Sequence, residues 1–422
     1  MVKLFSILSN GFKGDNAMAK GKWNRVILRE ICDSVKYGYT ASAKSEPIGP
    51  KFLRITDIVP NHIDWSSVPH CEIDKDNLSK YLLKKNDIVI ARTGATTGYA
   101  KRIRTKQHAI FASYLVRIRI NPKCNSKYIG YVIESDEYKQ FIQLNIGGAA
   151  QPHANAQILT SFPIPLPPLP TQRKIAAILS TYDDLIENNT RRIKILEDMA
   201  QTLYREWFVH YRFPGYENVP MVESELGAIP QGWEVKKFGG VSYNFDRLRK
   251  PLSGQVRSTM QGEYPYYGAA KILDYINGYL FDGRYLLIGE DGSVVTKDGK
   301  PVLQLVTGKF WVNNHTHVVQ GKSPISTNFL YLFMSNVTIT SYITGAAQPK
   351  INQENLNRIP VIFPPENLLE QFENTIQPNF ENIIALNLKN ANLCQTRDLL
   401  LPKLISGKID VSDLDIDRDS TI

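Results

Sequence analysis

Residues 147–168 read GGAAQPHANAQILTSFPIPLPP, and residues 344–365 read TGAAQPKINQENLNRIPVIFPP. The two stretches align over 22 residues without a gap. The run from Gly148 to Pro152 matches the run from Gly345 to Pro349. Asn155 matches Asn352, Leu159 matches Leu356, Pro163 matches Pro360, and Pro167 and Pro168 match Pro364 and Pro365. Solenoid repeats recur every roughly 20–50 residues, so a phrase repeated at this longer interval points to a duplicated domain. A chain of 422 residues has room for two domains and connecting elements.

The duplication reaches beyond the phrase. GKWNRVILREI from Gly21 resembles QGWEVKKFGGV from Gln231: a glycine-containing turn, a tryptophan, then an alternating stretch. Each half continues as short segments rich in β-branched and aromatic residues. Examples are DIVIARTG (87–94), YLVRIRI (114–120), YLLIGEDG (285–292) and KFWVNNHTHVV (309–319). Each half then ends in a helical stretch, the repeated phrase and a proline-rich exit. FPIPLPPLP is compatible with neither a helix nor a central strand, and reads as a stiff connector.

A different pattern follows each exit. Apolar residues at Ile175, Ile178, Tyr182, Leu185, Ile193, Leu196, Ala200, Leu203 and Trp207 advance in steps of three and four, with Asn189 in the gap. Phe372, Ile376, Phe380, Ile383, Leu386, Leu393, Leu400 and Leu404 do the same, with Asn390 in the gap. Such stripes are helical seams, and a polar residue within one fixes register at a cost in stability. Pro378 should kink the second helix. Two such helices in one chain can bury their stripes against each other as an antiparallel pair; the alternative is that each packs on its own domain.

The chain is 43% hydrophobic and 22% charged, ordinary for a globular protein. No run of about 18 apolar residues suggests a membrane span. Cys32, Cys71, Cys124 and Cys394 show no CxxC spacing and read as free thiols in a reducing cytoplasm. The first residues form an extension, possible start points being Met1 and Met18, and the end is an acidic tail. The net charge is +9, and no Asp or Glu occurs from Ile88 to Ile133, where nine Lys and Arg lie. A solvated face normally mixes signs, so this stretch suits phosphate contact, with a plain basic surface as the competing reading.

Catalytic signatures are missing. There is no phosphate-binding GxxxxGK[ST] loop, no GxGxxG after a strand, no methyltransferase Asn/Asp-Pro-Pro-aromatic motif and no zinc-type cluster. His315 and His317 would share one face of a strand, a two-ligand fragment without a third ligand in view. GEDGS at Gly289 reads as a strand-end turn, and ARTGATTG (91–98) as a turn or a phosphate cradle.

The chain resembles, from Trp23 to about Val411, the specificity subunits of type I restriction–modification systems. The resemblance is carried by TYDDLIENNTRRIKILEDMAQTLYREWFVHYRFPG (181–215), IPQGWEVKKFG (229–239), TRDLLLPKLISGKIDV (396–411) and the repeated GAAQP…N…L…P…PP. The second exit departs from the first: Gln371 is displaced by about two residues relative to Gln172. The resemblance implies an α+β fold of two duplicated mixed α/β target-recognition domains separated by two long antiparallel helices, with pseudo-twofold symmetry. The expected division is an extension at 1–20, recognition domains at 21–170 and 216–365, helical spacers at 171–215 and 366–407, and the tail at 408–422.

The resemblance also implies a non-catalytic, cytoplasmic DNA reader, each domain taking half of a split double-stranded site. Its expected partners are two methyltransferase subunits and restriction/translocase subunits, with no membrane. S-adenosylmethionine, ATP and Mg2+ would sit on those partners, with no cofactor, metal or catalytic residue on this chain. Phosphate-contact candidates are Arg92, Lys101, Arg102, Arg104 and Lys106 in the first half, and Arg247, Arg249, Lys250 and Arg257 in the second. Candidates for reading bases are Arg54, Gln255, Tyr266, Tyr267 and Lys271. For each, a surface salt bridge is the competing role. Two rival classes are a DNA-binding enzyme with a divergent nuclease site around Asp282, Glu290 and Asp291, and a coiled-coil scaffold without a DNA role.

Overall fold

The computed structural model describes residues 23–60, 62–146, 153–292, 294–345 and 348–415. The N-terminal extension, the last residues of the acidic tail and the GGAAQP of the first repeat lie outside these. The chain divides into two compact units: the segments up to Ile186 and from Ala391 onward form the first, and Glu187–Asn390 the second.

The first unit holds a four-stranded antiparallel sheet in the order Cys32–Tyr37, Leu115–Ile120, Ile88–Ala91, Ala100–Arg102. A parallel pair, Lys51–Leu53 with Ala109–Phe111, stands beside it. The helices Ser126–Glu134 and Asp136–Asn145 start where Asn125 and Ser135 accept bonds from backbone N–H groups three residues on, the ordinary N-cap arrangement. Ile88, Ile90, Val116 and Ile118 pack with Tyr128 and Ile129, and with Ile175, Leu179, Leu400 and Leu404 from the two long helices.

The second unit is built on six strands in the order Ser242–Asn244, Thr316–Gly321, Phe281–Gly289, Leu303–Val312, Gln261–Tyr267, Ile272–Ile276. Gln261–Tyr267 runs parallel to Leu303–Val312; the other neighbours are antiparallel. Its core is aromatic. Phe208 meets Phe372 edge-on with centroids 4.7 Å apart, and Phe329, Tyr204, Trp207 and Trp233 surround them. Such pairs add about 0.5–1.5 kcal/mol each beyond area burial.

One framework frames both sheets. In the first unit, Arg25–Ile27 pairs antiparallel with Pro163–Pro165; in the second, Glu234–Lys237 pairs with Pro360–Phe363. The register is the same: the residue four beyond the opening tryptophan, Ile27 or Lys237, faces the first exit proline, Pro163 or Pro360. The exit is thus a strand of a two-stranded ribbon rather than only a connector. Two strands suffice because Pro needs only to accept, while Leu28 and Leu166 donate to Phe162 and Asn24. The repeated Asn is a helix cap: Asn155 accepts from Ile158 N–H and Asn352 from Asn355 N–H. The repeated Leu159 and Leu356 are fully buried.

The long helices are Leu169–Tyr204, continued by one π-helical turn at Arg205–Val209, and Glu366–Ile405. Within the first unit Asp183 meets Arg397, and Lys174 reaches the Ser412 carbonyl. Within the second, Asn189 meets Asn390 and Tyr204 meets Phe372. In both units rising numbers on one helix meet falling numbers on the other, so the helices are antiparallel. Gln172 binds the first helix cap, accepting from Asn125 N–H at 2.8 Å. In the second unit Glu373 takes a related part, bonding Ser326 and Asn328 at 2.5 and 2.8 Å. The residue in that role is thus Glu373 rather than the displaced Gln371. All four cysteines are free thiols. Among the described residues no helix is long and apolar enough to cross a membrane.

Candidate nucleic-acid interface

In each unit the repeated phrase docks on the end of a sheet strand through an equivalent backbone bond. Ala154 N–H donates to the Arg92 carbonyl in the first, and Ile351 N–H to the Glu290 carbonyl in the second, both at 2.9 Å. The flanking side chains have exchanged character. Arg92 Nη2 lies 2.7 Å from His153 Nε2, whereas Lys350 is paired with Glu290 at 3.2 Å. His153 and Lys350 occupy the same position in the repeat.

Arg92 stacks on the Tyr37 ring at 4.7 Å and donates to the Ser113 carbonyl at 3.4 Å. Its buried Nε has no hydrogen-bond partner, and among the described residues it forms no ion pair with a carboxylate. Tyr37, 43% exposed, and Tyr114, 59% exposed, add aromatic surface. A cation held by a ring, one carbonyl and a histidine, rather than neutralised by a carboxylate, keeps its charge available to a phosphate or a guanine edge.

The corresponding end of the second unit is a compensated cluster. Arg249 Nη1 lies 2.6 Å from Glu290, His317 Nδ1 lies 2.5 Å from Asp246, and His317 Nε2 lies 2.9 Å from the Ile351 carbonyl. Burial tends to raise the Asp246 carboxyl, but His317, the Val318 N–H and Arg249 more than offset it and leave it below its ordinary value. Glu290 is likewise lowered, with Arg249, His317 and Lys350 outweighing burial. Asp246, Glu290 and His317 offer ligand atoms within 4.8 Å of one another. Arg249 and Lys350 already neutralise that charge, so the group reads as an ion-pair network holding the repeat. His315 is not on the strand with His317: Val312 ends one strand and Thr316 begins the next. It sits in the turn between them, bonded to Asp291 at 2.6 Å.

The other candidates divide by exposure. Lys106, Arg247, Lys250, Gln255 and Lys271 are exposed. Arg54 is half-buried and bound by both ends to Asp57. Lys101 pairs with Glu134 at 3.7 Å, and burial pulls its ammonium below the usual value. Arg104 pairs with Asp183 at 2.8 Å, and Arg257 with Asp274 at 3.2 Å. Tyr267 is half-buried against Phe310. Two candidates need correction. Arg102 is 5% exposed, bonded to Asn86 and lying along Gly130; Tyr266 is 1% exposed and accepts from Leu252 N–H. Neither has surface to offer, so both belong to the scaffold. Tyr37 and His153 were missed. His153 had a signal, its place in the repeat opposite Lys350; Tyr37 had none, because only folding brings it under Arg92.

One repeated framework therefore carries two different sheets, the mark of a duplicated two-domain protein. Residues 20–198 and 230–392 match the family described as Type I restriction modification DNA specificity domain. The specificity subunit of the type I restriction enzyme MjaIX of Methanocaldococcus jannaschii is 28% identical over 311 residues, 68% of this chain and 70% of that protein. The specificity subunit of the HindI enzyme of Haemophilus influenzae is 20% identical over 477 aligned positions, 92% of this chain and 99% of that protein. The crystal structure of the S subunit from M. genitalium shares the fold, with a TM-score of 0.51 at 15% identity, covering 93% of this chain and 98% of that one. The chain therefore belongs to the type I restriction–modification specificity family, whose members are the non-catalytic DNA-recognition components of these systems.

Proposed function

We propose that the first unit reads one half of a bipartite, asymmetric site in double-stranded DNA and the second unit reads the other. The observation that carries this reading is the common ribbon register around two unlike sheets, four-stranded and six-stranded. A shared frame suits equivalent docking of identical partners, while the differing inserts suit different sequences. Arg92, with the exposed Lys106, Arg247, Lys250, Gln255 and Lys271, forms the contact set. The long helices dock two methyltransferase subunits and set the gap between half-sites. S-adenosylmethionine belongs to those subunits, and ATP and Mg2+ to restriction/translocase subunits that join them. The complex works in the cytoplasm, where the DNA is.

The test is binding by the chain alone and with its methyltransferase partner. Alone, binding is weak and falls steeply with salt, because phosphate contacts dominate. With the partner it becomes tight and sequence-specific, and native mass spectrometry finds two methyltransferase copies per chain. One copy, or none, contradicts the proposal.

A further inference from the structure

The basic stretch of the first unit is spent partly inside the protein: Arg117 and Arg119 meet Asp87, Lys101 meets Glu134, and Arg104 meets Asp183. Asp183, on the first long helix, has a side chain only 2% exposed. Its Oδ2 takes Arg104 at 2.8 Å, from the segment after the strand Ala100–Arg102, and also the hydroxyl of Tyr131, from the helix Ser126–Glu134. Its Oδ1 takes Arg397 at 2.7 Å, from the second long helix. Four segments of one unit therefore meet on one carboxylate: sheet, domain helix and both long helices.

The chemistry of this junction differs from the seam around it. Apolar contacts such as those of Ile175, Leu179, Leu400 and Leu404 are non-directional and tolerate small slides. A buried carboxylate with assigned donors on both oxygens does not, because a displacement of about 1 Å breaks several charge-assisted bonds together. Burial alone would depress both guanidiniums; Asp183, joined by Glu134 and Tyr131 at Arg104 and by Asp398 at Arg397, more than offsets it, and each sits above its ordinary value. Burial, with Asp183 adding to it, raises the Tyr131 hydroxyl, which keeps it a donor.

We infer that Asp183 is a positioning residue for DNA specificity: it fixes the direction in which both long helices leave the first recognition unit, and so narrows the half-site spacing the protein accepts. This rests on the bipartite reading proposed above. Helix length would set the mean spacing, and the junction its tolerance. Arg104 and Arg397 serve the same function from opposite sides, Arg104 tying the sheet and Arg397 the second helix.

The experiment uses the complex of the full chain with its methyltransferase. Methylation is measured on a set of DNAs that keep both half-sites and vary the gap by one or two base pairs. Asp183→Asn and Arg104→Gln should raise methylation at off-length gaps, relative to the native gap, by about tenfold, with the half-sites unchanged. Arg104→Gln keeps the Asp183–Arg397 bond and covers the case in which Asp183→Asn does not fold. Leu159→Ala, from the same core but away from the junction, is the control for general loosening and should keep the native gap preference. Overturning results are an unchanged gap preference in folded Arg104→Gln, or equal relaxation by Leu159→Ala. A wild-type complex with no bipartite motif removes the reading beneath the inference and the inference with it; a bipartite motif with rigid spacing in the variants removes the inference alone.

Discussion

Asn189 and Asn390, the residues that interrupt the two apolar seams, are hydrogen-bonded to each other, Nδ2 to Oδ1 at 2.9 Å. Asn390 also reaches the Thr190 hydroxyl at 3.4 Å. Each asparagine would be a defect alone. Together they specify which turn of one helix faces which turn of the other, since a shift by one turn strands both amides.

Replacing one of the pair should therefore cost more than replacing both. Asn189→Leu leaves the Asn390 Oδ1 without its donor and should destabilise by about 1–3 kcal/mol. Asn189→Leu with Asn390→Leu should recover most of that loss. A denaturant double-mutant cycle measures the coupling; additive single costs would mean that the bond is incidental.

Arg92→Ala should weaken DNA binding by the complex by about 1–3 kcal/mol and lower the salt slope by about one. The fold should persist, because the Ala154–Arg92 bond is between backbone atoms. Uniform weakening on all sequences marks a phosphate contact, and a change at one position of the motif marks a base contact. Unchanged affinity would remove Arg92 from the interface.

Acid should unfold the second unit through Asp246 and Glu290. Both are lowered from ordinary values of 3.8 and 4.5, so their stabilisation is complete above those values and is lost as pH falls through the depressed ones. Asp246→Asn keeps an acceptor for His317 but removes the charge. It should flatten the fall in thermal stability as pH drops below about 3.8. A variant with the full wild-type acid dependence would place the effect elsewhere.

The long helices were legible because steps of three and four survive any loop chemistry around them, and Asn189 and Asn390 stood out against those steps. The recurrence of Asn155 as Asn352 marked a framework position, though its capping role needed the backbone. The charged side chains were not legible. Arg104 and Arg397 look like surface cations until folding brings Asp183 between them, and Tyr266 looks like a loop residue until its ring is enclosed. The exit prolines look like a connector because the missing N–H is visible in the sequence and the opening segment that supplies donors is not. His315 and His317 look like neighbours on one strand because β propensity runs through the Asn313–His315 turn, which the fold places between two strands.

Exchange of the first reader tests the two-reader account most directly. Residues 21–170 would be replaced by the equivalent segment of another specificity subunit, and genome-wide adenine methylation mapped in cells carrying the cognate methyltransferase. The account predicts a bipartite motif in which one half-site has changed to that of the donor, while the other half-site keeps its original sequence. A motif changed in both halves, or in neither, would contradict it.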